Sequence, residues 1–141
     1  MSWTVLVVDD DLDTRTLIQA MLQSMGHNVV LTEDGTQALE KLKTEEDVAA
    51  IDIIFLDLMM PGLSGYEVFE KLKSQPLTEN IPVIMLTAKG SGEEMITGYQ
   101  VGADYYIPKP FTKSQLKYGL ELLLDTDGKA RPDIPNDYGS L

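Results

Sequence analysis

Ile53-Ile54-Phe55-Leu56-Asp57-Leu58-Met59-Met60-Pro61-Gly62-Leu63-Ser64-Gly65 decides how the rest of the chain is read. An apolar run of strand character leads straight into a carboxylate, and Pro61 and Gly62 then break the backbone. Asp57 is thereby placed at the C-terminal mouth of a strand. In an open parallel α/β sheet, chemistry collects in the loops at the carboxyl ends of strands, where rigid backbone meets connections that are free to vary. A lone Asp after a strand more often just starts a turn, so the other strand ends decide the matter.

Thr4-Val5-Leu6-Val7-Val8 has the continuous apolar pattern of a strand buried on both faces, and it ends in Asp9-Asp10-Asp11. Asp11 is placed to cap a helix carrying Leu17, Ile18, Met21, Leu22 and Met25 at helical spacing, with Gly26 as its stop. His27 falls in the loop that follows and is expected to be solvated. Val29-Val30-Leu31 reads as a second strand, and Asp34-Gly35 turns the chain into a helix with Ala38, Leu39 and Leu42. Glu45-Glu46-Asp47 is expected to be a solvated edge.

Residues 51–56 form the third strand, and after the Asp57 loop the capping box Ser64-Gly65-Tyr66-Glu67 opens a helix whose expected core face is Tyr66, Phe69 and Leu72. Pro82-Val83-Ile84-Met85-Leu86 is a fourth strand ending in Thr87-Ala88-Lys89-Gly90. A second capping box, Ser91-Gly92-Glu93-Glu94, starts a fourth helix with Met95, Ile96 and Tyr99. Ala103-Asp104-Tyr105-Tyr106-Ile107 is a short fifth strand, and Pro108 marks it as an edge, where a missing amide donor is tolerated. Thr112 and Gln115 cap the last helix, with Leu116, Leu120 and Leu123 inward. Strands alternating with helices predict a doubly wound, three-layer α/β/α domain over residues 1–124. Residues 125–141 carry Pro132, Pro135 and scattered charge without apolar period, and are expected to be a flexible tail or linker stump.

At 141 residues and 43% hydrophobic content, one domain with a sizeable core is expected. No apolar run approaches the roughly 18 residues of a membrane span, and no charged leader precedes the first strand, so a cytoplasmic location is expected. With no cysteine, any metal must use oxygen ligands or the single His27, which argues against zinc and redox chemistry. Twenty-three acidic against 11 basic residues give a net charge of −12, which repels phosphate backbones and argues against direct binding of nucleic acid.

Four motifs stand at strand ends: Val7-Val8-Asp9-Asp10, Leu56-Asp57-Leu58-Met59-Met60-Pro61-Gly62, Leu86-Thr87-Ala88 and Lys109-Pro110-Phe111. Each alone is weak, but together and in this order they are specific. Through them the chain, from about Thr4 to Leu124, resembles a response-regulator receiver domain of two-component signal transduction, of the chemotaxis-regulator-like kind. The resemblance implies a flavodoxin-like five-stranded parallel sheet in the order 2-1-3-4-5. In that order Asp9, Asp10, Asp57, Thr87 and Lys109 form one cluster. Gathered carboxylates raise one another's pKa unless a cation joins them, and an all-oxygen site suits a hard ion, Mg2+. The Lys109 ammonium and the Thr87 hydroxyl are fitted to bind an added phosphoryl group.

The resemblance further implies that Asp57 is the phosphoacceptor, charged by a histidine kinase or phosphotransfer protein, and that Asp9, Asp10, Asp57 and the Met59 backbone carbonyl hold Mg2+. It implies a cis Lys109-Pro110 peptide, and Ala88 leaves room beside the phosphoryl group. Thr87 and Tyr106 would act as the switch, and Met59 and Lys89 would tune the lifetime of the phosphate. Such a protein is no enzyme in the ordinary sense, since it catalyses only its own phosphorylation and dephosphorylation. Its output would leave through the face of the fourth helix, fifth strand and fifth helix, toward a partner protein or a second copy of the chain, with Tyr99, Tyr105 and Tyr106 as candidate contacts.

Other readings fail on residues. Asp9-x-Asp11-x-Asp13 imitates an EF-hand loop, but Thr14 stands where Gly is required and Ala20 where the bidentate Glu belongs. The Asp-x-Asp-x-Thr/Val pattern of haloacid-dehalogenase-like phosphatases is absent, and an acidic first loop would repel a flavin phosphate. The alternative that remains is a phosphate-independent interaction module on the same fold, against which the complete Asp, Thr and Lys set argues.

Overall fold

The computed structural model describes residues 2–87 and 102–124. Its elements are β1 (Thr4–Val8), α1 (Leu12–Ser24), β2 (Asn28–Thr32), α2 (Gly35–Glu40), α3 (Glu45–Ala49), β3 (Ile53–Asp57), α4 (Gly65–Lys73), β4 (Val83–Thr87), β5 (Tyr105–Pro108) and α5 (Lys113–Leu123). The five strands pair in parallel in the order β2-β1-β3-β4-β5, the doubly wound flavodoxin-like arrangement.

Two-residue periodicity divides the strands between two cores. Val5 and Val7 of β1, Ile53 and Phe55 of β3, and Ile84 and Leu86 of β4 pack with Ile18 and Leu22 of α1 and Leu116, Leu120 and Leu123 of α5. Leu6, Val8, Ile54, Leu56, Val83 and Met85 pack on the opposite side with Ala38 of α2 and Val68, Phe69 and Leu72 of α4. All five residues of β3 and of β4 are buried, so both sheet faces are covered where these strands run. Full burial of one such Leu or Ile side chain is worth about 1.5–3 kcal/mol, and this fastens the central strands on whose ends the acidic residues sit. Pro108 closes β5, which lies at the sheet edge as expected.

Several details differ from the expectations. Glu45 and Glu46 are solvated, but they belong to a helix, α3, opened by a reciprocal Thr44–Asp47 capping box with three acidic residues in its first turn. In α4 the buried set is Gly65, Val68, Phe69 and Leu72, whereas Tyr66 is half-buried. Leu17 is exposed on α1, whose buried residues are Ile18 and Leu22. His27 is not solvated: it is buried, its ring stacks on Trp3 with centroids 5.1 Å apart, and its Nδ1 accepts a 3.1 Å hydrogen bond from the Trp3 amide. The expected helix carrying Met95, Ile96 and Tyr99, its capping box, Ala88, Lys89 and the tail at 125–141 lie outside the described residues.

Candidate functional site

β1, β3, β4 and β5 lie side by side in nearly level register, with Val8 opposite Leu56, Asp57 opposite Leu86 and Thr87 opposite Pro108. Asp9 directly follows β1, Asp57 ends β3, Thr87 ends β4 and Lys109 directly follows β5. The ladder continues past the strands through Leu58 N–H to Leu86 carbonyl at 3.2 Å and Lys109 N–H to Thr87 carbonyl at 2.7 Å. Backbone pairing alone therefore brings four side chains of three chemical kinds, two carboxylates, a hydroxyl and an ammonium, to one edge. The Lys109-Pro110 peptide is cis.

At that edge, ligand atoms of Asp9, Asp10 and Asp57 lie within 4.8 Å of one another. Asp9 is fully buried and held on both carboxylate oxygens: Oδ1 accepts from the Asp11 amide at 2.9 Å and Oδ2 from Lys109 Nζ at 2.9 Å. Lys109 Nζ lies 3.4 Å from Asp57 Oδ1, so the ammonium bridges the two buried carboxylates and sits nearer to Asp9. Burial works to lower the Lys109 pKa, but the hydrogen bond to Asp9 and the charges of Asp57 and Asp9 outweigh it and raise it. Burial, joined by the Asp9 charge, pushes Asp57 up to about 7 against the opposing pull of Lys109 and the Met59 amide. One ammonium thus falls short of neutralising the cluster.

The loop after β3 aims the Asp57 carboxylate. Its Oδ1 accepts from the Met59 amide at 3.2 Å, and Gly62, at φ +76°, turns the chain after Pro61 in a conformation that disfavours residues with a Cβ. Gly65 donates its amide to the Leu58 carbonyl at 3.0 Å. A Cβ on Gly65 would fall 2.7 Å from Leu58 Cα and against the Asp57 carbonyl oxygen, so only glycine lets α4 start this close to the acidic residue. The Met59 side chain is 62% exposed beside the Asp57 mouth.

Thr87 Oγ1 is buried and has no hydrogen-bond partner among the described residues. A buried hydroxyl without a partner costs about 1–3 kcal/mol. That cost suits a group kept for a ligand that brings the missing oxygen. Tyr106, on β5 opposite Met85, is buried in the core shared with α4.

A hard divalent cation suits this donor set: three clustered carboxylates, two of them buried, and one of these pushed up to about 7 by burial and by the charge of Asp9. Asp10, exposed, has no hydrogen bond to its side chain among the described residues and so has its oxygens available. One neighbour of the site carries no sequence signal. Arg15 Nη1 donates to the Asp9 carbonyl at 2.8 Å, a contact that only the shape of the β1–α1 turn creates. The Asp9–Lys109 pairing joins residues 100 apart in sequence, and no local pattern tells which carboxylate lies nearer.

The family model of the response regulator receiver domain matches residues 5–121. Among curated proteins, the chain is 38% identical over 138 residues to the phosphate regulon transcriptional regulatory protein PhoB of Pseudomonas aeruginosa, covering 98% of this chain and 58% of that protein. It is 37% identical over 136 residues to the transcriptional regulatory protein CpxR of Escherichia coli, covering 96% and 55%. The chain thus spans just over half the length of these relatives. Among solved structures it resembles the Vibrio cholerae chemotaxis protein CheY4, with TM-score 0.74 and 32% identity, covering 85% of this chain and 97% of that one. It also resembles the receiver domain of the sensor histidine kinase PA1611 of Pseudomonas aeruginosa, solved with a magnesium ion coordinated in its active-site cleft. There the TM-score is 0.73 at 30% identity, covering 84% and 93%.

Proposed function

This chain belongs to the response regulator receiver domain family of two-component systems, and on that premise we propose that Asp57 accepts a phosphoryl group from a histidine kinase or phosphotransfer protein. The observation that carries the reading is the meeting of the Asp57 carboxylate with Asp9, Asp10 and Lys109 at one strand edge, beside a strand that ends in a partnerless buried hydroxyl. In the step itself an Asp57 oxygen attacks phosphorus in line. The bond from phosphorus to the donor's imidazole nitrogen breaks, and that nitrogen keeps the electron pair and takes up a proton. The product is an acyl phosphate on Asp57.

The carboxylates of Asp9, Asp10 and Asp57 and the Met59 carbonyl would hold Mg2+, a reading supported by the magnesium-bound PA1611 receiver domain. Bound there, the ion supplies the positive charge that keeps Asp57 ionised and screens the charge of the incoming phosphoryl oxygens. Lys109, already between Asp9 and Asp57, pairs with a phosphoryl oxygen, and the Thr87 hydroxyl donates to another. Hydrolysis discharges the product: water attacks phosphorus, the bond to the Asp57 oxygen breaks, and inorganic phosphate and the free Asp57 carboxylate result. A bulky, exposed Met59 cannot orient that water, which favours a long-lived phosphate, and we assign Lys89, two residues after Thr87 in the sequence, a share in the same tuning.

We assign this chemistry to residues 1–124, with 125–141 as a tail or linker. The output is a protein contact that depends on phosphate, transmitted as Thr87 moves toward the phosphoryl group and Tyr106, already buried in this structure, repacks behind it. Binding of nucleic acid by this segment itself is disfavoured by its charge of −12, and the reactions described call for a cytoplasmic location. The test is incubation with acetyl phosphate and Mg2+ followed by intact mass measurement. One phosphate adduct, dependent on Mg2+ and absent from Asp57→Asn, is expected. No adduct under any condition would leave a phosphate-independent interaction module instead.

A further inference from the structure

Asp10 is the one exposed member of the acidic cluster, and no hydrogen bond among the described residues holds its side chain. The backbone on both sides of it is nevertheless fastened. Asp9 is tied by its amide to the Thr32 carbonyl at 3.2 Å and by its side chain to the Asp11 amide and Lys109. Asp11 caps α1 by accepting from the Thr14 amide at 3.0 Å and the Thr14 hydroxyl at 2.6 Å, and its carbonyl accepts from the Arg15 amide at 3.0 Å. The remaining freedom is rotation of the Asp9–Asp10 peptide unit. Its carbonyl oxygen is the atom to which Arg15 Nη1 donates at 2.8 Å.

We infer that Arg15 is a positioning residue for the cation site, acting by locking the Asp9–Asp10 peptide plane so that the Asp10 carboxylate faces Asp57. The inference rests on the reading of Asp9, Asp10 and Asp57 as Mg2+ ligands. Its sign separates it from plain electrostatics. A cation beside three carboxylates repels Mg2+, so if Arg15 were only a nearby charge, removing it would tighten metal binding. If Arg15 orients Asp10, removing it loosens binding, because a ligand that must first be ordered contributes less.

The experiment measures Mg2+ affinity of the full chain by titration calorimetry, for the parent, Arg15→Met and Arg15→Lys, alongside the Mg2+ dependence of acetyl phosphate labelling. Loss of such a supporting contact costs about tenfold or more in metal affinity, and Arg15→Met is expected to weaken binding by about that factor. Arg15→Lys, which keeps one donor on a long stem, is expected to recover most of the loss. The Mg2+ concentration for half-maximal labelling should rise in Arg15→Met while the rate at saturating Mg2+ stays near the parent's, a split that general destabilisation would not produce. If Arg15→Met proves unfolded, Arg15→Gln, too short to reach the Asp9 carbonyl, carries the same expectation. Equal or tighter Mg2+ binding in the variant overturns the inference, as does a loss that lysine fails to recover. A parent that binds no Mg2+ overturns the metal reading beneath it.

Discussion

Replacing Asp57 by Asn should stabilise the metal-free protein, and by an amount that grows with pH. An unfolded aspartate ionises near 3.8, whereas burial and the Asp9 charge hold folded Asp57 up to about 7. Between those values the folded state keeps a proton that the unfolded state has lost, so stability present at low pH drains away as pH rises through 7. At 1.36 kcal/mol per pKa unit the full penalty is about 4 kcal/mol above pH 8, and cations drawn to the cluster reduce it. The substituted carboxamide is neutral throughout and keeps an acceptor for the Met59 amide, while Lys109 retains Asp9 at 2.9 Å. Urea unfolding in EDTA should therefore give Asp57→Asn less than half of its full lead over the parent at pH 5, where the unfolded carboxyl has ionised and the folded one has not. At pH 8 the variant should lead by about 2–4 kcal/mol. Saturating Mg2+ should close most of that gap by stabilising the parent. A variant no more stable than the parent at pH 8, or a lead that does not change with pH, would refute the assignment of a buried, under-neutralised carboxylate at this strand end.

Gly65→Ala should destabilise the fold by about 1–3 kcal/mol, because its Cβ must displace the backbone at Asp57 and Leu58, and should slow phosphate incorporation in step; unchanged urea midpoint and labelling rate would contradict the close approach. Met59→Asn should shorten the life of the phosphorylated state by letting a polar side chain orient the attacking water, measured as loss of the adduct mass with time after donor removal; equal decay in both proteins would defeat that role. Thr87→Ala should still accept phosphate but should lose the difference in partner binding or oligomeric state between beryllofluoride-treated and untreated protein. If treatment changes neither property in the parent, phosphorylation is not switching this surface.

The strand ends were legible because each motif follows an apolar run, and a parallel sheet carries the C-terminal ends of its strands to one edge. That logic sets Asp9, Asp57, Thr87 and Lys109 at strand ends, while the strand order that makes them neighbours follows from the resemblance to receiver domains and not from periodicity. It did not specify which carboxylate lies nearer to Lys109, since this depends on side-chain reach across three strands, and the nearer one is Asp9. Thr44-Glu45-Glu46-Asp47 carried a readable helix start in its hydroxyl–carboxylate spacing, but the acidity of the stretch masked it. His27 defeated local reading altogether: a polar residue between helix and strand looks solvated until Trp3, 24 residues earlier, is found stacked on it. Arg15 has no local signature, since one arginine on a helix resembles any solvated charge, and only the turn after β1 brings it to the Asp9 carbonyl.

The central claim, that Asp57 is the nucleophile, is tested most directly by trapping the acyl phosphate. After exposure to acetyl phosphate and Mg2+, borohydride reduction converts a phosphorylated aspartate to homoserine, and peptide mass mapping locates the change. We predict homoserine at position 57 alone, and none when either Mg2+ or the phosphodonor is omitted. Homoserine at Asp9, Asp10 or any other carboxylate, with Asp57 intact, would contradict the account.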